Sequence, residues 1–268
     1  LSDGTVIASG FLFRNEFHLN PLGSADLFNP CGGRPASITP FNVDRLFDEK
    51  GTPRFKYIVE GANVFITDEA RRILEERGVI LFKDASTNKG GVTSSSHEVL
   101  AALAMSDEEF AEHMQVQPGK NPPAFYQVYV QQVMERIREN ARLEFNALWD
   151  ESIRTGKPRC DLTDVLSAKI LRLKRDIRES DSLWQDNELV TRVLTLALPH
   201  VLMPGLVSIQ TLRKRVPESY LQAIFQSYLA SRFYYSQRFT DEDLSMFAFF
   251  DYVRHLKGSS TSSLSSAP

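Results

Sequence analysis

The sequence predicts an α/β fold in which half of a doubly wound parallel sheet is followed by an all-helical C-terminal region. Before residue 116, short apolar runs alternate with helical patterns, and after Pro118 the spacing is helical throughout. No two glycines lie two residues apart, so the Gly-x-Gly-x-x-Gly motif of the first half of a dinucleotide-binding sheet is absent. Together these observations predict the second half of a Rossmann-like sheet.

Three short apolar runs are the predicted strands, at 25–31, 56–62 and 79–85. Between the second and third run, the pattern of 66–78 predicts a helix that Thr67 caps and that ends before Gly78. Residues 37–51, between the first and second run, also have a helix-like pattern. Connections this short between strands require right-handed crossovers and a parallel sheet.

The remaining segments are assigned from composition and spacing. An Asp-Gly turn between apolar runs predicts a hairpin-like insertion at 1–23. Residues 24–116 are then the half-sheet domain, 117–257 the helical region, and the serine-rich tail 258–268 is predicted to be disordered.

The helical region is predicted to begin with a long helix at 123–156 that Gly156 closes, followed by a helix that Asp161 or Thr163 caps. Further helices are predicted at 187–202, 217–236 and 241–256.

Composition excludes several classes of function. A net charge of −3 and a pI near 6.0 give no electrostatic basis for binding nucleic acid, and no apolar run approaches the ~20 residues of a membrane span. The 2 cysteines and 5 histidines lack the spacing of a disulfide framework or a metal site. We therefore expect an intracellular protein, cytoplasmic or mitochondrial, without a metal. Because the chain starts at Leu1 and not at Met, we expect it to be a piece of a longer protein.

The three predicted strands end in loops rich in glycine, asparagine and serine, at 29–35, 60–67 and 84–96. Ligands of open parallel sheets bind beyond the carboxyl ends of the strands, and glycine lets a flat ligand approach the backbone. Each feature also has a structural interpretation: Gly61 as a strand-end turn, Gly32 with Gly33 as a left-handed loop. The three loops together favour a ligand site.

The serines at 94–96 precede His97, which raises the possibility of a serine nucleophile. Adjacent residues at a helix start point in different directions, and the Gly-x-Ser-x-Gly elbow is absent. The pattern therefore disfavours a hydrolase, and the serines are expected to cap the following helix.

Three segments resemble one enzyme family. They are VEGANVFITDEARRILEERGVILFKDASTNKGGVTSSSHEVLAALAMSDEEF at 59–110, ADLFNPCGGRP at 25–35 and FRNEFHLNP at 13–21. They resemble the C-terminal portion of the large NAD-specific glutamate dehydrogenases, the fungal type in particular. The wider superfamily shares only the cores E-G-A-N and N-x-G-G-V-T-x-S.

The resemblance implies oxidative deamination of L-glutamate to 2-oxoglutarate and ammonia, with NAD as the cofactor. It places Asn63 beside the nicotinamide ribose, Asn88 in the same pocket and Ser95 against the side-chain carboxylate of the substrate. The cofactor-binding residues that it implies are Pro30, Cys31, Gly32, Gly61, Asn63, Asn88, Gly90 and Gly91, and the substrate-binding residues are Val92 and Ser95. At Cys31-Gly32 the wider superfamily usually has alanines, so no side-chain role is assigned there.

The catalytic lysine and aspartate of that family lie in a substrate domain upstream, so no catalytic residue is assigned and the chain alone is expected to be inactive. The implied partners are that upstream remainder and further copies in a homo-oligomer. The half-sheet is expected to have an unpaired edge strand where the other half is missing, and this predicts self-association of the isolated chain. The preference for NAD over NADP follows from the resemblance alone.

An alternative from another class stays open: a non-catalytic helical interaction or regulatory module with a degenerate half-sheet. Its basis is the number of aromatic residues in 123–256, which a plain helix core also explains.

Overall fold

The computed structural model describes residues 9–237 and 244–258. The chain divides into two compact units. Unit 1 contains Leu1–Lys89 and Leu148–Asp164, and unit 2 contains Gly90–Ala147 and Val165–Pro268.

Unit 1 is built on a parallel sheet. Its strands, β1 (Leu27–Phe28), β2 (Tyr57–Val59) and β3 (Ile80–Phe82), lie in the order β1–β2–β3, and both pairings are parallel. Ile58 at the centre of β2 and Leu81 at the centre of β3 are fully buried. The predicted parallel arrangement of the three runs is confirmed, although each strand is shorter than its run.

Of the two predicted crossover helices, one is confirmed. The α2 helix (Asp68–Glu76) connects β2 to β3, the Thr67 hydroxyl accepts a hydrogen bond from the Ala70 N–H at 3.4 Å, and Gly78 has a φ of +88°. Thr67 and Gly78 therefore act as the start and stop signals that the sequence predicts.

The predicted helix at 37–51 is wrong. This connection contains only a 3-10 turn at Val43–Leu46, between other turns. The Asn42 side chain accepts from the Thr39 N–H and donates to the Ser37 carbonyl, and Asp48 accepts from the Lys50 N–H. These local bonds satisfy the backbone in turns and compete with a helix.

The predicted hairpin at 1–23 is also wrong for the described residues 10–23. They form the α1 helix (Gly10–Glu16) and 3-10 turns at Phe17–Leu19 and Pro21–Gly23. The Ser9 hydroxyl caps α1, and the rings of Phe13 and Phe17, four residues apart, lie 5.3 Å apart. The Asp-Gly turn lies outside the described residues.

Residues 84–96 are helical and not a loop. The α3 helix (Asp84–Thr87) and the α4 helix (Lys89–Ala104) are separated only by Asn88. The serines do not cap α4: the Ser94 hydroxyl donates to the Gly91 carbonyl at 2.9 Å and the Ser95 hydroxyl to the Val92 carbonyl at 3.1 Å. Serine side chains that bond the preceding turn of their own helix leave that helix intact.

The described residues after 104 form helices joined by short connections. The helices are α5 (Asp107–His113), α6 (Ala124–Thr155), α7 (Arg159–Glu179), α8 (Asp181–Gln185), α9 (Asn187–Ala197), α10 (Ile209–Arg215), α11 (Glu218–Ser236) and α12 (Met246–Gly258), with a broken helical segment at Val201–Leu206. Gly156 has a φ of +71° and closes α6 as predicted.

The predicted cap of α7 is wrong. The helix begins at Arg159, so Thr163 lies inside it and its hydroxyl donates to the Arg159 carbonyl. The Glu75 carboxylate of α2 accepts from the N–H groups of Arg159 and Cys160, both at 2.9 Å. A distant side chain satisfies the helix start, and local sequence cannot show that.

Some aromatic residues of the helical region belong to its core, and others are partly or largely exposed. Phe225, Phe233 and Phe249 are almost fully buried, whereas Phe247 is 83% exposed. The helix-core interpretation is therefore confirmed for the buried rings. Residues 240–243 and the tail after 258 lie outside the described residues.

Within the described part, no helix is both long enough and apolar enough to span a bilayer.

Candidate functional site

The carboxyl ends of the three strands lie along one edge of the sheet in unit 1, because the strands are parallel neighbours. Asn29 follows β1, and its amide donates to the Val59 carbonyl of β2 at 2.5 Å. The Thr87 hydroxyl, after β3, donates to the Glu60 carbonyl, also at 2.5 Å. Side chains from the segments that follow the outer strands thus hold the end of the central strand.

Gly61 lies directly against the segment after β1. A Cβ atom at Gly61 would lie 3.1 Å from the Cys31 sulfur and 3.3 Å from the Pro30 carbonyl oxygen, which also accepts from the Ala62 N–H. The close approach explains glycine at this position without a ligand. Cys31 is exposed and donates to the Asn29 Oδ1, and a Cβ atom at Gly32 would meet nothing within 4 Å.

Asn63 and Asn88 meet at this edge of the sheet. The Asn88 amide nitrogen donates to the Asn63 carbonyl oxygen. Asn63 lies three residues after Glu60, and Asn88 is the single residue between α3 and α4. Each amide carries further donors or acceptors beyond this bond, so the pair can recognise a carboxamide or a ribose hydroxyl.

A buried ion pair supports the end of β2. The Arg71 guanidinium contacts both oxygens of Glu60, at 2.7 and 3.0 Å, and the Glu60 side chain is 0% exposed. Burial alone would lower the pKa of Arg71, but the hydrogen bonds and charge of Glu60 raise it. Arg71 therefore stays charged, and its fork holds α2 against the strand end.

Asp84 connects this ion pair to the asparagine pair. Its carboxylate lies 3.2 Å from Arg71 and accepts from the Val64 N–H at 2.6 Å. Val64 has a φ of +49°, which is unusual for a β-branched residue. The Asp84 bond therefore holds in place the backbone next to Asn63.

The neighbouring Lys83 is also buried and paired. Its Nζ lies 3.1 Å from Asp68 and 2.8 Å from Asp164. Although burial opposes the shift, these two carboxylates raise the pKa of Lys83. Two acidic partners keep the lysine ionised, which suits a structural role.

A cavity of about 600 Å³ opens beside the end of β1 in unit 1. Pro30 and Gly32 line it, and so do the aromatic residues Phe28 and Phe65, whose ring centroids lie 6.0 Å apart. Two of the predicted cofactor-binding residues therefore border a space of ligand size.

In unit 2, Gly90, Gly91, Val92 and Ser95 occupy the first turns of α4. Val92 is 71% exposed, Ser95 is exposed, and their spacing of three residues places both on one face of the helix. A Cβ atom at Gly91 would meet nothing within 4 Å, whereas one at Gly90 would lie 3.5 Å from Ile137.

The serines do not form a nucleophile with His97. The His97 Nδ1 lies 2.8 Å from the Thr93 carbonyl, and the hydroxyls of Ser94 and Ser95 donate to backbone carbonyls of their own helix. Within the described residues, His97 therefore activates no serine.

The charged residues behind the strand ends were not predicted from the sequence: Glu60, Arg71, Lys83 and Asp84. A signal was present, because Glu60 directly follows an apolar strand, and an acidic residue in a buried position requires a cationic partner. Which arginine supplies the charge depends on how α2 packs, and the sequence does not give that.

Comparison with known proteins places these residues in a family. The model of the family described as Glutamate/Leucine/Phenylalanine/Valine dehydrogenase matches residues 9–156. The chain is 51% identical over 257 residues to "Glutamate dehydrogenase 2" of Dictyostelium discoideum. It is 48% identical over 258 residues to the "NAD-specific glutamate dehydrogenase" of Neurospora crassa, and 41% identical over 263 residues to the protein of that name in Saccharomyces cerevisiae.

Each of these alignments covers 96% of this chain but only 24% of the relative. The chain thus spans about a quarter of the length of the curated relatives it matches. No solved structure was found to match. The resemblance to the NAD-specific glutamate dehydrogenases, predicted from the motifs, is confirmed.

Proposed function

The chain belongs to the Glutamate/Leucine/Phenylalanine/Valine dehydrogenase family, and on this premise we propose that it forms the C-terminal portion of an NAD-dependent glutamate dehydrogenase. The reaction is the oxidation of L-glutamate with NAD and water to 2-oxoglutarate, ammonia and NADH. One observation carries the proposal: the Asn63–Asn88 pair lies at the carboxyl edge of a parallel sheet. That pair occurs in a chain 48% identical to a relative named NAD-specific.

The sheet edge of unit 1 would hold the cofactor. When bound, NAD supplies the acceptor for the hydride. Asn63 and Asn88 would donate to and accept from the nicotinamide ribose and carboxamide, while Pro30, Cys31, Gly32 and Gly61 would provide a flat wall. The fit is supported by the exposed amide of Asn63 and by the cavity that Pro30 and Gly32 border.

In unit 2, the first turns of α4 would contact the cofactor and substrate. Gly90 and Gly91 present backbone without side chains, which permits close approach. The Ser95 hydroxyl would donate to the side-chain carboxylate of glutamate, and Val92 would pack against its methylene groups. Both side chains are exposed, as such contacts require.

This chain would bind and orient without transferring protons. Two carboxylates hold the buried Lys83 and raise its pKa, whereas a lysine that serves as a general base needs a lowered pKa. We therefore assign the catalytic lysine and aspartate to the rest of the enzyme and expect the chain alone to be inactive.

Kinetics of the full-length enzyme test the assignment. Asn88→Ala should raise KM for NAD about tenfold or more, which is the effect of losing one or two hydrogen bonds. Ser95→Ala should instead raise KM for glutamate. Ser94→Ala, an exposed serine on the same helix without a proposed contact, is the control and should change neither. Unchanged kinetics in both site variants would refute the assignment.

Two other expectations stay predictions: a homo-oligomer, which the resemblance implies, and a cytoplasmic or mitochondrial location. The exposed side chains of Leu27 in β1 and Tyr57 in β2 support a contact surface at the sheet.

A further inference from the structure

Unit 2 contains a cavity of about 330 Å³ between its helices. Its wall comes from α4, including the proposed substrate contact Val92, and from α6, α9 and α11. The lining residues include His97, Arg136, Ala223, Ile224, Tyr228 and Arg232. A volume of this size accommodates a small organic molecule.

The cavity wall carries an excess of positive charge. Arg232 is held by Glu139, with its two terminal nitrogens 2.9 and 2.7 Å from the two carboxylate oxygens. Arg136 contacts the same carboxylate through one nitrogen at 2.9 Å, so two guanidinium groups share one negative charge. No acidic residue lines the cavity within the described part of the chain. The charge balance therefore favours one anionic group on the ligand.

Most of the remaining wall is apolar or aromatic. The Tyr228 ring lies close to both arginines, with its centroid 5.9 Å from the Arg136 Cζ and 5.3 Å from the Arg232 Cζ. Ile224 and Ala223 of α11 add aliphatic surface. An apolar body attached to the anionic group would be buried against these side chains.

His97 contributes an unsatisfied polar atom. Its Nδ1 must donate to the Thr93 carbonyl at 2.8 Å, and its Nε2 is buried without a hydrogen-bond partner in the described part of the chain. Burial, and to a smaller extent the charge of Arg136, lowers the pKa of His97, although the bond to Thr93 and a weaker contact with the Ala197 backbone oppose this. A neutral imidazole leaves Nε2 as an acceptor, which a hydroxyl or amide N–H of a ligand would satisfy.

We propose that this cavity is a binding site for a small organic monocarboxylate with an apolar body and a hydrogen-bond donor. Arg136 would pair with the carboxylate, Tyr228 and Ile224 would cover the apolar body, and His97 would accept from the donor. Glutamate itself fits poorly, because its second carboxylate lacks a second uncompensated cation and its ammonium group lacks an acidic partner in the wall.

Calorimetric titration of the full-length protein with 3-phenyllactate, without NAD or glutamate, tests the proposal. This probe carries a carboxylate, a hydroxyl and a phenyl ring. Two analogues each lack one group: 3-phenyllactamide has no charge and 3-phenylpropanoate has no hydroxyl. We expect the acid to bind at least about tenfold more tightly than the amide, with 3-phenylpropanoate between them.

Ala223→Leu should abolish binding by filling the cavity. Ala223 is exposed and leucine is a good helix former, so the variant should fold, and an unchanged melting temperature checks this. Ala102→Leu makes the same change at an exposed position of α4 outside the cavity wall and should bind normally.

Three results would each overturn the proposal: no heat of binding at millimolar 3-phenyllactate, equal affinity for acid and amide, or normal binding by Ala223→Leu. The binding readout requires no turnover, so it is independent of the proposed dehydrogenase activity.

Discussion

At the scale of single residues, the strand-end site depends on the buried pair of Glu60 and Arg71. A carboxylate that is 0% exposed is tolerable only beside a cation that meets both its oxygens. Through Asp84, the same arginine is connected to the backbone next to Asn63. The residues proposed to touch the cofactor are therefore positioned by residues that do not touch it.

Replacing Arg71 by methionine keeps the apolar stem but removes the partner of Glu60. We expect the free energy of unfolding of unit 1 to fall by about 3–5 kcal/mol, because the substitution leaves a buried charge unpaired. Hydrogen exchange of the β2 amides in the full-length protein measures this loss. The control is Arg72→Met, which removes a half-exposed ion pair with Asp161 and should cost at most about 1 kcal/mol. Equal effects of the two variants would contradict the role assigned to Arg71.

His18 gives unit 1 a dependence on pH. It is buried beside the rings of Phe28 and Phe65, and burial lowers its pKa below the ordinary value. Below pH about 6.5 the unfolded chain therefore binds more protons at this site than the folded one, so stability falls as the pH falls. The substitution His18→Phe removes this contribution of His18 to the pH dependence of stability.

We expect the melting temperature of His18→Phe to fall less between pH 7.5 and 5.5 than that of the unaltered protein. Above pH 7.5 the two melting curves should run in parallel, because His18 is neutral in both folded and unfolded chains there. If the melting temperature of the variant fell as steeply between pH 7.5 and 5.5 as that of the unaltered protein, His18 would not be the source of this pH dependence.

At the scale of elements, the first turn of α4 contains two glycines, Gly90 and Gly91, where a helix would favour other residues. Gly91 has open space around its Cβ position, so packing does not require it. Glycine in a helix costs about 1 kcal/mol relative to alanine. If the cofactor must approach the backbone closely at Gly91, this would explain why glycine occurs here although it destabilises the helix.

Gly91→Ala should therefore stabilise α4 by about 0.5–1 kcal/mol while raising KM for NAD. Hydrogen exchange of α4 and steady-state kinetics measure the two effects. Ser94→Ala is the matched control: it too improves helix propensity on the exposed part of α4, and it should leave KM unchanged. If Gly91→Ala stabilised the helix without affecting NAD, the proposed role of the glycine would be wrong.

The same elements show what the sequence can predict. Thr67 and Gly78 bracket α2 with local signals, so that helix was predictable. Residues 37–51 have an apolar spacing typical of a helix, but the side-chain bonds of Asn42 and Asp48 fold them into turns. Residues 84–96 look like a loop because they are rich in glycine and serine, yet the serines bond within their own helix. Periodicity shows which face is buried, and it does not show which local hydrogen bonds form.

At the scale of the whole molecule, the division into units follows contacts between residues far apart in sequence. Residues 148–164 belong with the sheet because Glu75 caps the start of α7 and Lys83 pairs with Asp164. A change in periodicity near residue 116 cannot reveal such contacts. The motifs that carry the family resemblance are local, so the family could be predicted from the sequence.

The central claim is that the carboxyl edge of this sheet lies against NAD. Hydrogen exchange of the full-length protein with and without NAD, read out by mass spectrometry, tests it most directly. We predict slower exchange on NAD binding in 29–33, 60–64 and 84–91. Slower exchange elsewhere in the protein, with these three segments unchanged, would contradict the claim.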